Sequence, residues 1–394
     1  MRWSSRLAIT MLLAGGGACG DSSSPSVPAS LAIADGNGQE FPTGTTLPVP
    51  LKVTVLGSSN QAFSGATVTW AVTVGSATLG GTTSTSDALG AATMTVTLGA
   101  NVGAVSIRAS VPGVTPVTFA ATAADPCQFL WPHTFGTSVA GTLAATDCNF
   151  GGYYADFYAF TVPSQQSLSI TMSSGTLATW IDLFRFGDGN YVGFAGDTVV
   201  STPAVLEAIV AQGSYVIAPN TYFDHKTGSY TLSTAVRPQT IANCSEVWVT
   251  RGITVTDAVT ASDCSDSAAT PSFADVVGIF GVKGSVLTVA ERSAAFNAYL
   301  SLFNFQGTEI AFNDDSADAG ITTNAYLVAT LPDTNLYFLV IGTAGVGETG
   351  AYTLAISPSA TVAASEPLFP GPFLGVNAQR FRFAKPGSLP RRRP

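Results

Sequence analysis

The sequence predicts an all-β protein in which a signal peptide precedes three tandem β-sandwich domains, the last two built from jelly-roll or sandwich-like repeats. Three observations predict this fold class. Apolar and polar residues alternate with period two in many short runs, as they do in half-buried strands. Turn-forming residues interrupt these runs, and the chain contains 40 Gly and 22 Pro. The second half of the chain repeats itself, and it has no run of helical period long enough to compete.

Composition and charge limit the classes of partner. Charged residues make up 10% of the 394 residues, and the formal net charge is −9. Eight of the 16 basic residues lie near the two ends, so the other eight, between residues 19 and 379, accompany 25 acidic residues and give this body a net charge of −17. Phosphate backbones bind basic surfaces, so we expect no nucleic-acid partner.

The N-terminus carries an export signal. Arg2 and Arg6 precede a short apolar run at residues 7–14, which small residues follow. We therefore expect residues 1–18 to be a signal peptide that is removed. Residues 19–29 are rich in Ser and Pro and are predicted to form a polar tether.

The residues Gly17, Ala18 and Cys19 resemble the lipobox of bacterial lipoproteins. The resemblance implies a diacylglycerol on the Cys19 thiol, a membrane partner, and a place on the bacterial outer membrane or cell surface. Simple cleavage after Ala18, giving a freely secreted protein, fits the small-residue rule as well. Cysteine usage favours the anchor, because the other four cysteines fall into pairs and an exported protein seldom keeps one exposed thiol.

The four remaining cysteines predict two disulfides. Cys127 and Cys148 are 21 residues apart, and Cys244 and Cys264 are 20 apart. A metal site is the alternative, but such a site would need Cys-x-x-Cys spacing or companion histidines, and the sequence has neither.

Residues 30–124 predict a β-sandwich of about seven strands with Trp70 in its core. The segment resembles the bacterial immunoglobulin-like domain of the invasin and intimin kind. The matching segments are residues 44–53, 63–70, 85–92 and 114–119. The resemblance implies a rigid extracellular spacer or an adhesive module without catalysis.

Residues 125–237 and 238–358 are predicted to be two copies of one β domain. The superposition pairs Cys127 with Cys244, Asp147-Cys148 with Asp263-Cys264, Ala155-Asp156 with Ala274-Asp275, Ile181-Asp182-Leu183-Phe184 with Tyr299-Leu300-Ser301-Leu302, and Gly228-Ser229-Tyr230-Thr231-Leu232 with Gly350-Ala351-Tyr352-Thr353-Leu354. Because the match extends over most of both segments, we infer a duplication.

Both copies resemble the pre-peptidase C-terminal domain of secreted bacterial proteases. The motifs that carry the resemblance are Gly141-x-Leu143-x-x-x-Asp147, Asp156-x-Tyr158-x-Phe160, Asn313-Asp314-Asp315, and the closing Gly-x-Tyr-Thr-Leu of each copy. The second copy lacks the Gly-x-Leu motif, and the first lacks the double Asp. The resemblance implies an accessory domain that binds or stabilises.

The sequence contains no catalytic pattern, and we predict no catalytic residue and no cofactor. His133 and His225 are the two histidines, and the chain has no nucleophile elbow, zinc-protease motif or phosphate-binding Gly loop. Asp314, Asp315 and Asp318 are candidate Ca²⁺ ligands, because hard cations prefer several oxygens on one loop. A polar turn between strands is the alternative for this cluster.

Residues 359–394 are Pro-rich and then basic, and we predict a disordered tail. Export, β-sandwich modules and the lack of a catalytic pattern together suggest a non-catalytic surface or secreted protein that acts in adhesion or ligand binding. Its ligand would be a surface glycan or a protein. The alternatives are an accessory subunit of a secreted hydrolase and a purely structural spacer.

Overall fold

The computed structural model describes residues 27–186, 190–241, 244, 247–265, 271–315 and 323–358. Every regular element in these ranges is a β-strand, which confirms the all-β prediction. No helix long and apolar enough to cross a membrane occurs in the part of the chain described. The predicted signal peptide, Cys19 and the C-terminal tail lie outside these residues.

The chain divides into two compact units. The first consists of Met1–Glu40 and Thr45–Ala123, and the second of Phe41–Gly44 and Ala124–Pro394. Both predicted repeats belong to the second unit.

The immunoglobulin-like segment has ten strands: β1 (Pro28–Asp35), β2 (Gln39–Pro42), β3 (Leu51–Gly57), β4 (Thr67–Val74), β5 (Ala77–Leu79), β6 (Thr83–Thr85), β7 (Ala91–Met94), β8 (Val96–Leu98), β9 (Gly103–Ser110) and β10 (Val117–Ala124). They form sheets of order β1-β3-β7, β2-β10-β9-β4-β6 and β5-β8. Trp70 is buried as predicted, with its ring 5.8 Å from that of Phe119 and its Nε1 donating to Ser84 Oγ at 2.9 Å. The tether prediction extends too far, because β1 already begins at Pro28; proline is tolerated at the first residue of a strand.

The first repeat has eleven strands: β11 (Trp131–Pro132), β12 (Ser138–Leu143), β13 (Cys148–Phe150), β14 (Tyr153–Ala155), β15 (Tyr158–Val162), β16 (Gln166–Ser173), β17 (Thr179–Arg185), β18 (Tyr191–Gly196), β19 (Ala204–Val210), β20 (Gly213–Thr221) and β21 (Gly228–Val236). One sheet has the order β11-β15-β20-β17-β18, and β12-β21-β16-β19 are neighbours in another.

The second repeat has ten strands: β22 (Val247–Val249), β23 (Ile253–Val259), β24 (Cys264–Ser265), β25 (Phe273–Gly281), β26 (Val286–Arg292), β27 (Ala298–Asn304), β28 (Glu309–Asn313), β29 (Ala325–Thr330), β30 (Asn335–Thr343) and β31 (Gly350–Ile356). Strands β23-β31-β26-β29 form one sheet, and β22-β25-β30-β27-β28 continue the sheet that contains β19.

The two repeats therefore share one ten-stranded sheet. The join is β22, which pairs in parallel with β19 of the first repeat on one side and with β25 of the second on the other. Residues of both repeats also pack in one hydrophobic cluster, which includes Trp248. The repeats are two copies in sequence but one packed body in structure.

The predicted superposition of β17 on β27 is wrong by one residue. Thr179 pairs with Thr221, the last residue of β20, and Ala298 pairs with Thr343, the last residue of β30. Asp182 therefore corresponds to Ser301. The first six residues of β17 are all buried, so no period-two pattern was available to fix the register.

Both predicted disulfides are present. Cys127 is bonded to Cys148 with Cα atoms 4.5 Å apart, and Cys244 to Cys264 with Cα atoms 4.8 Å apart. Each bond ties the start of a repeat to β13 or β24. Closing a loop of this size stabilises a fold by about 3 kcal/mol on the chain-entropy model.

Candidate functional site

The two histidines do not form a catalytic arrangement with a reactive side chain. His133 Nε2 lies 2.9 Å from Thr234 Oγ1, and that hydroxyl also accepts the Gly136 N–H at 2.9 Å. His133 and Thr234 are both buried, and burial lowers the pKa of His133. His225 is exposed, with Nδ1 3.3 Å from Asp224 Oδ2. We read the His133 contact as structural.

The candidate Ca²⁺ ligands lie at the end of β28. Asp314 and Asp315 are exposed, and Asp318 lies outside the described residues. Asn313 closes the turn, because its Nδ2 donates to Asp315 O at 3.0 Å and its Oδ1 accepts the Tyr326 N–H at 2.7 Å. No group of three or more His, Cys, Asp or Glu side chains is placed to hold a metal ion within the described ranges. Calcium at this loop stays a prediction.

A tyrosine–aspartate pair recurs in the two repeats. Tyr230 OH donates to Asp156 Oδ2 at 2.5 Å, and Tyr352 OH donates to Asp275 Oδ2 at 2.7 Å. Burial raises the pKa of Asp156 to about 6 and that of Asp275 to about 8. The two pairs are largely buried, and each joins the Ala-Asp motif to the last strand of its repeat. This contact gives a structural reason for the Ala-Asp motif and for the tyrosine of the closing Gly-x-Tyr-Thr-Leu motif.

The second repeat adds one buried acid, Glu291, near its tyrosine–aspartate pair. Glu291 and Met172 occupy equivalent positions, opposite Leu354 and Leu232 respectively. Glu291 has 0% of its surface exposed, and neither carboxylate oxygen makes a hydrogen bond of normal geometry to the described residues. Burial and then the charge of Asp275 raise the pKa of Glu291 well above its usual value, although nearby N–H groups offset part of the rise.

The exposed surface that most distinguishes the repeats lies along β28 and β29. We define the aromatic edge as Tyr299, Phe312, Tyr326 and Val328. The exposed fractions are 61% for Phe312, 44% for Tyr326 and 54% for Val328. The rings of Tyr299 and Phe312 are stacked with centroids 6.4 Å apart, and Asn313 links the two strands through its bond to the Tyr326 N–H.

Polar contacts beneath the aromatic edge hold its strands together. Glu309 Oε1 accepts hydrogen bonds from Ser301 Oγ at 2.6 Å and from Tyr299 OH at 3.4 Å. In the first repeat the carboxylate is on the other strand, because Asp182 accepts from Tyr191 OH at 2.5 Å. The same two strands are thus joined in both repeats by a carboxylate and a hydroxyl.

The equivalent surface of the first repeat is buried. Phe194 lies opposite Asp182 as Phe312 lies opposite Ser301, and Phe194 is stacked on Trp180 with ring centroids 4.9 Å apart. Phe194 is 7% exposed, and the ring of Trp248 from the second repeat lies 5.2 Å away. The contrast with Phe312 shows that the same structural position is covered in one repeat and open in the other.

Sequence reasoning missed the aromatic edge. Aromatic residues also cluster at positions 153–158, but Tyr154, Phe157 and Tyr158 are buried in the core. A signal for Phe312 existed in the repeat itself. With the register corrected, Phe312 of the second repeat aligns with Phe194 of the first. Trp248 covers Phe194, and the sequence after the second repeat has no tryptophan that could cover Phe312 in the same way.

No protein-family model matches the chain, and no curated protein matches it. Among solved structures, the pre-peptidase C-terminal domain of collagenase from Bacillus anthracis is 19% identical, with 27% of this chain and 95% of that chain covered and a TM-score of 0.23. The D0-D1 domain of intimin is 15% identical, with 55% and 94% covered and a TM-score of 0.21. The Yersinia pseudotuberculosis adhesin InvE is 20% identical, with 54% and 55% covered and a TM-score of 0.18. At these identities and TM-scores, the likenesses carry no information on ligand or activity.

Proposed function

We propose that this chain is a non-catalytic binding protein of the bacterial surface, which holds its ligand at the aromatic edge of the second repeat. The observation that carries the proposal is the exposure of Phe312 on the stacked Tyr299, at a position that the first repeat buries. A stacked aromatic pair with one ring exposed is a candidate interaction site, because aromatic side chains contribute much of the energy at such sites. Modules of the immunoglobulin-like and pre-peptidase C-terminal kinds, which the sequence resembles, fit this role.

We expect Phe312→Ser to weaken ligand binding at least tenfold. Serine removes the exposed ring and leaves the strand register unchanged, so the fold should persist. The full mature chain and the variant are applied to arrays of purified cell-surface glycans and extracellular-matrix proteins. Phe223→Ser is the matched control, because Phe223 is a 43% exposed phenylalanine in the first repeat. A ligand that binds Phe312→Ser and wild type equally would contradict the proposed site, and a wild-type chain that binds nothing on either array would contradict the proposed function.

The proposal includes the lipid anchor at Cys19. Intact-mass spectrometry of the mature protein from membrane and medium fractions of its host tests the anchor. We expect a membrane-fraction species that begins at Cys19, carries a lipid mass and contains both disulfides. An unmodified Cys19 found in the medium alone would show a freely secreted protein instead.

A further inference from the structure

The two repeats are joined by strand addition. Strand β22 lies alongside β19 in parallel register, with Trp248 opposite Ala208. The indole packs where a Cβ on Gly193 would be, and its Nε1 donates to Phe194 O at 2.8 Å. A three-residue strand and one aromatic side chain therefore complete the edge formed by β18 and β19.

Within the described residues, the second repeat has the same edge without the added strand. β29 is the equivalent of β19, because Ala325 lies opposite Glu291 as Ala204 lies opposite Met172. It is the last strand of its sheet within the described residues. Ala329 takes the place of Ala208. An unpaired edge strand offers a row of backbone donors and acceptors to another chain.

One substitution determines which side chain fits this edge. Ala311 stands where the first repeat has Gly193, since Ala311 pairs with Leu302 as Gly193 pairs with Leu183. A Cβ at Gly193 would overlap the indole of Trp248. The methyl group of Ala311 would therefore exclude a tryptophan at that depth, so a partner side chain at this position would have to be smaller.

The outer positions of β29 are more apolar than those of β19. Val328 replaces Glu207, which forms an ion pair with Arg237 at 3.1 Å in the first repeat. Tyr326 replaces Val205. A partner strand at this edge would meet apolar groups and no charge at these two positions.

We propose that the aromatic edge binds an extended peptide strand of another protein, which pairs in parallel with β29 and places an aliphatic side chain over Ala311. The proposal rests on the proposed binding function and names its ligand class as peptide. Backbone pairing supplies affinity in such a mode, and the side-chain seat supplies specificity.

The probe is a synthetic seven-residue peptide with the sequence of residues 245–251 and the change Trp248→Leu. One terminus of the peptide carries a fluorine label, and fluorine NMR follows this label while the full mature chain is added. We expect binding that falls at least tenfold in Phe312→Ser and is unchanged in Phe223→Ser. In the first repeat the Thr250 N–H donates to Ile209 O at 3.1 Å. A second peptide that also carries Thr250→Pro should therefore bind at least tenfold more weakly, because proline removes the donor that faces the partner strand and restricts its own backbone. The peptide that retains tryptophan should bind more weakly than the leucine peptide, and Ala311→Gly should reverse that order.

Equal binding of the leucine peptide and the peptide that also carries proline would overturn strand addition. Failure of the leucine peptide to bind wild type or any variant of the chain would overturn it too. Residues 366–374 of this chain are an alternative occupant, tested with Phe369→Ser. Peptide binding that appears in Phe369→Ser but not in wild type would show an edge occupied by the chain itself and overturn the proposal of a partner. A glycan ligand that depends on Phe312, together with no peptide binding, would uphold the proposed function and overturn the peptide inference.

Discussion

Trp248→Ala should lower the free energy of unfolding of the second unit by about 3–5 kcal/mol, the range for removing a large buried aromatic side chain. Trp248 is 2% exposed and lies between β18 and β25, where Gly193 and Gly278 have no side chain to displace it. Its removal leaves a cavity and an unpaired Phe194 carbonyl. Because the indole belongs to the cluster that both repeats share, the loss should also separate their unfolding into two transitions.

Chemical denaturation followed by far-ultraviolet circular dichroism measures this effect. Trp248→Phe is the matched control, because it keeps most of the ring and loses the hydrogen bond to Phe194 O, which costs about 1 kcal/mol. A loss below about 1 kcal/mol in Trp248→Ala would show that the indole does not hold the junction.

Glu291→Met should raise the free energy of unfolding at pH 8 by about 1–3 kcal/mol, the cost of burying a polar group that has no hydrogen bond of normal geometry. The first repeat already has Met172 at this position, so the side chain fits the fold. Burial, and then the charges of Asp263 and Asp257, raise the pKa of Asp275. Burial, and then the charge of Asp275, raise the pKa of Glu291.

The same acids set the direction of the pH dependence. The pKa of Asp275 is raised from 3.8 to about 8, and that of Glu291 is raised well above 4.5. Between about pH 4 and 8 the folded chain therefore holds protons that the unfolded chain releases. The contribution of Asp275 and Glu291 to the free energy of unfolding is complete below their pKa values in the unfolded chain. It is lost as pH rises through their pKa values in the folded chain.

Equilibrium unfolding at pH 4, 6 and 8 tests this account. Wild type should become less stable across the series, and Glu291→Met should show a shallower decline. Asp333→Asn, at an exposed acid of the same repeat, is the control for a change of net charge. A Glu291→Met chain that is less stable than wild type at pH 8 would show that the carboxylate has a stabilising partner.

Much of the fold could be predicted from the sequence because period-two alternation and turn residues are local signals. Trp70 in an alternating run and the evenly spaced cysteine pairs belong to this class. The register of β17 on β27 could not be predicted, because a strand buried on both faces loses the alternation that fixes register. The shared sheet could not be predicted either, because it depends on the three residues of β22, too few to give a periodic signal.

The candidate site was harder to predict than the fold. Tyr326 follows the alternation of β29, and Phe312 ends a continuous apolar run in β28, so neither pattern marks a binding residue. The exposure of Phe312 became significant only when the same position in the first repeat was found buried. The burial of the Glu291 carboxylate could not be predicted either. Its sequence neighbours indicate a strand, and its burial depends on β27 and β30, which are distant in sequence.

Amide hydrogen exchange of the full mature chain tests the central claim, that β29 is an edge which accepts a strand. With the Trp248→Leu peptide of residues 245–251 bound, we predict slower exchange in β29, centred on Val328 to Thr330, and no change in β19, whose edge β22 already covers. The peptide that also carries Thr250→Pro should give no protection. Protection confined to other strands, or equal exchange of β29 with and without the peptide, would contradict the account.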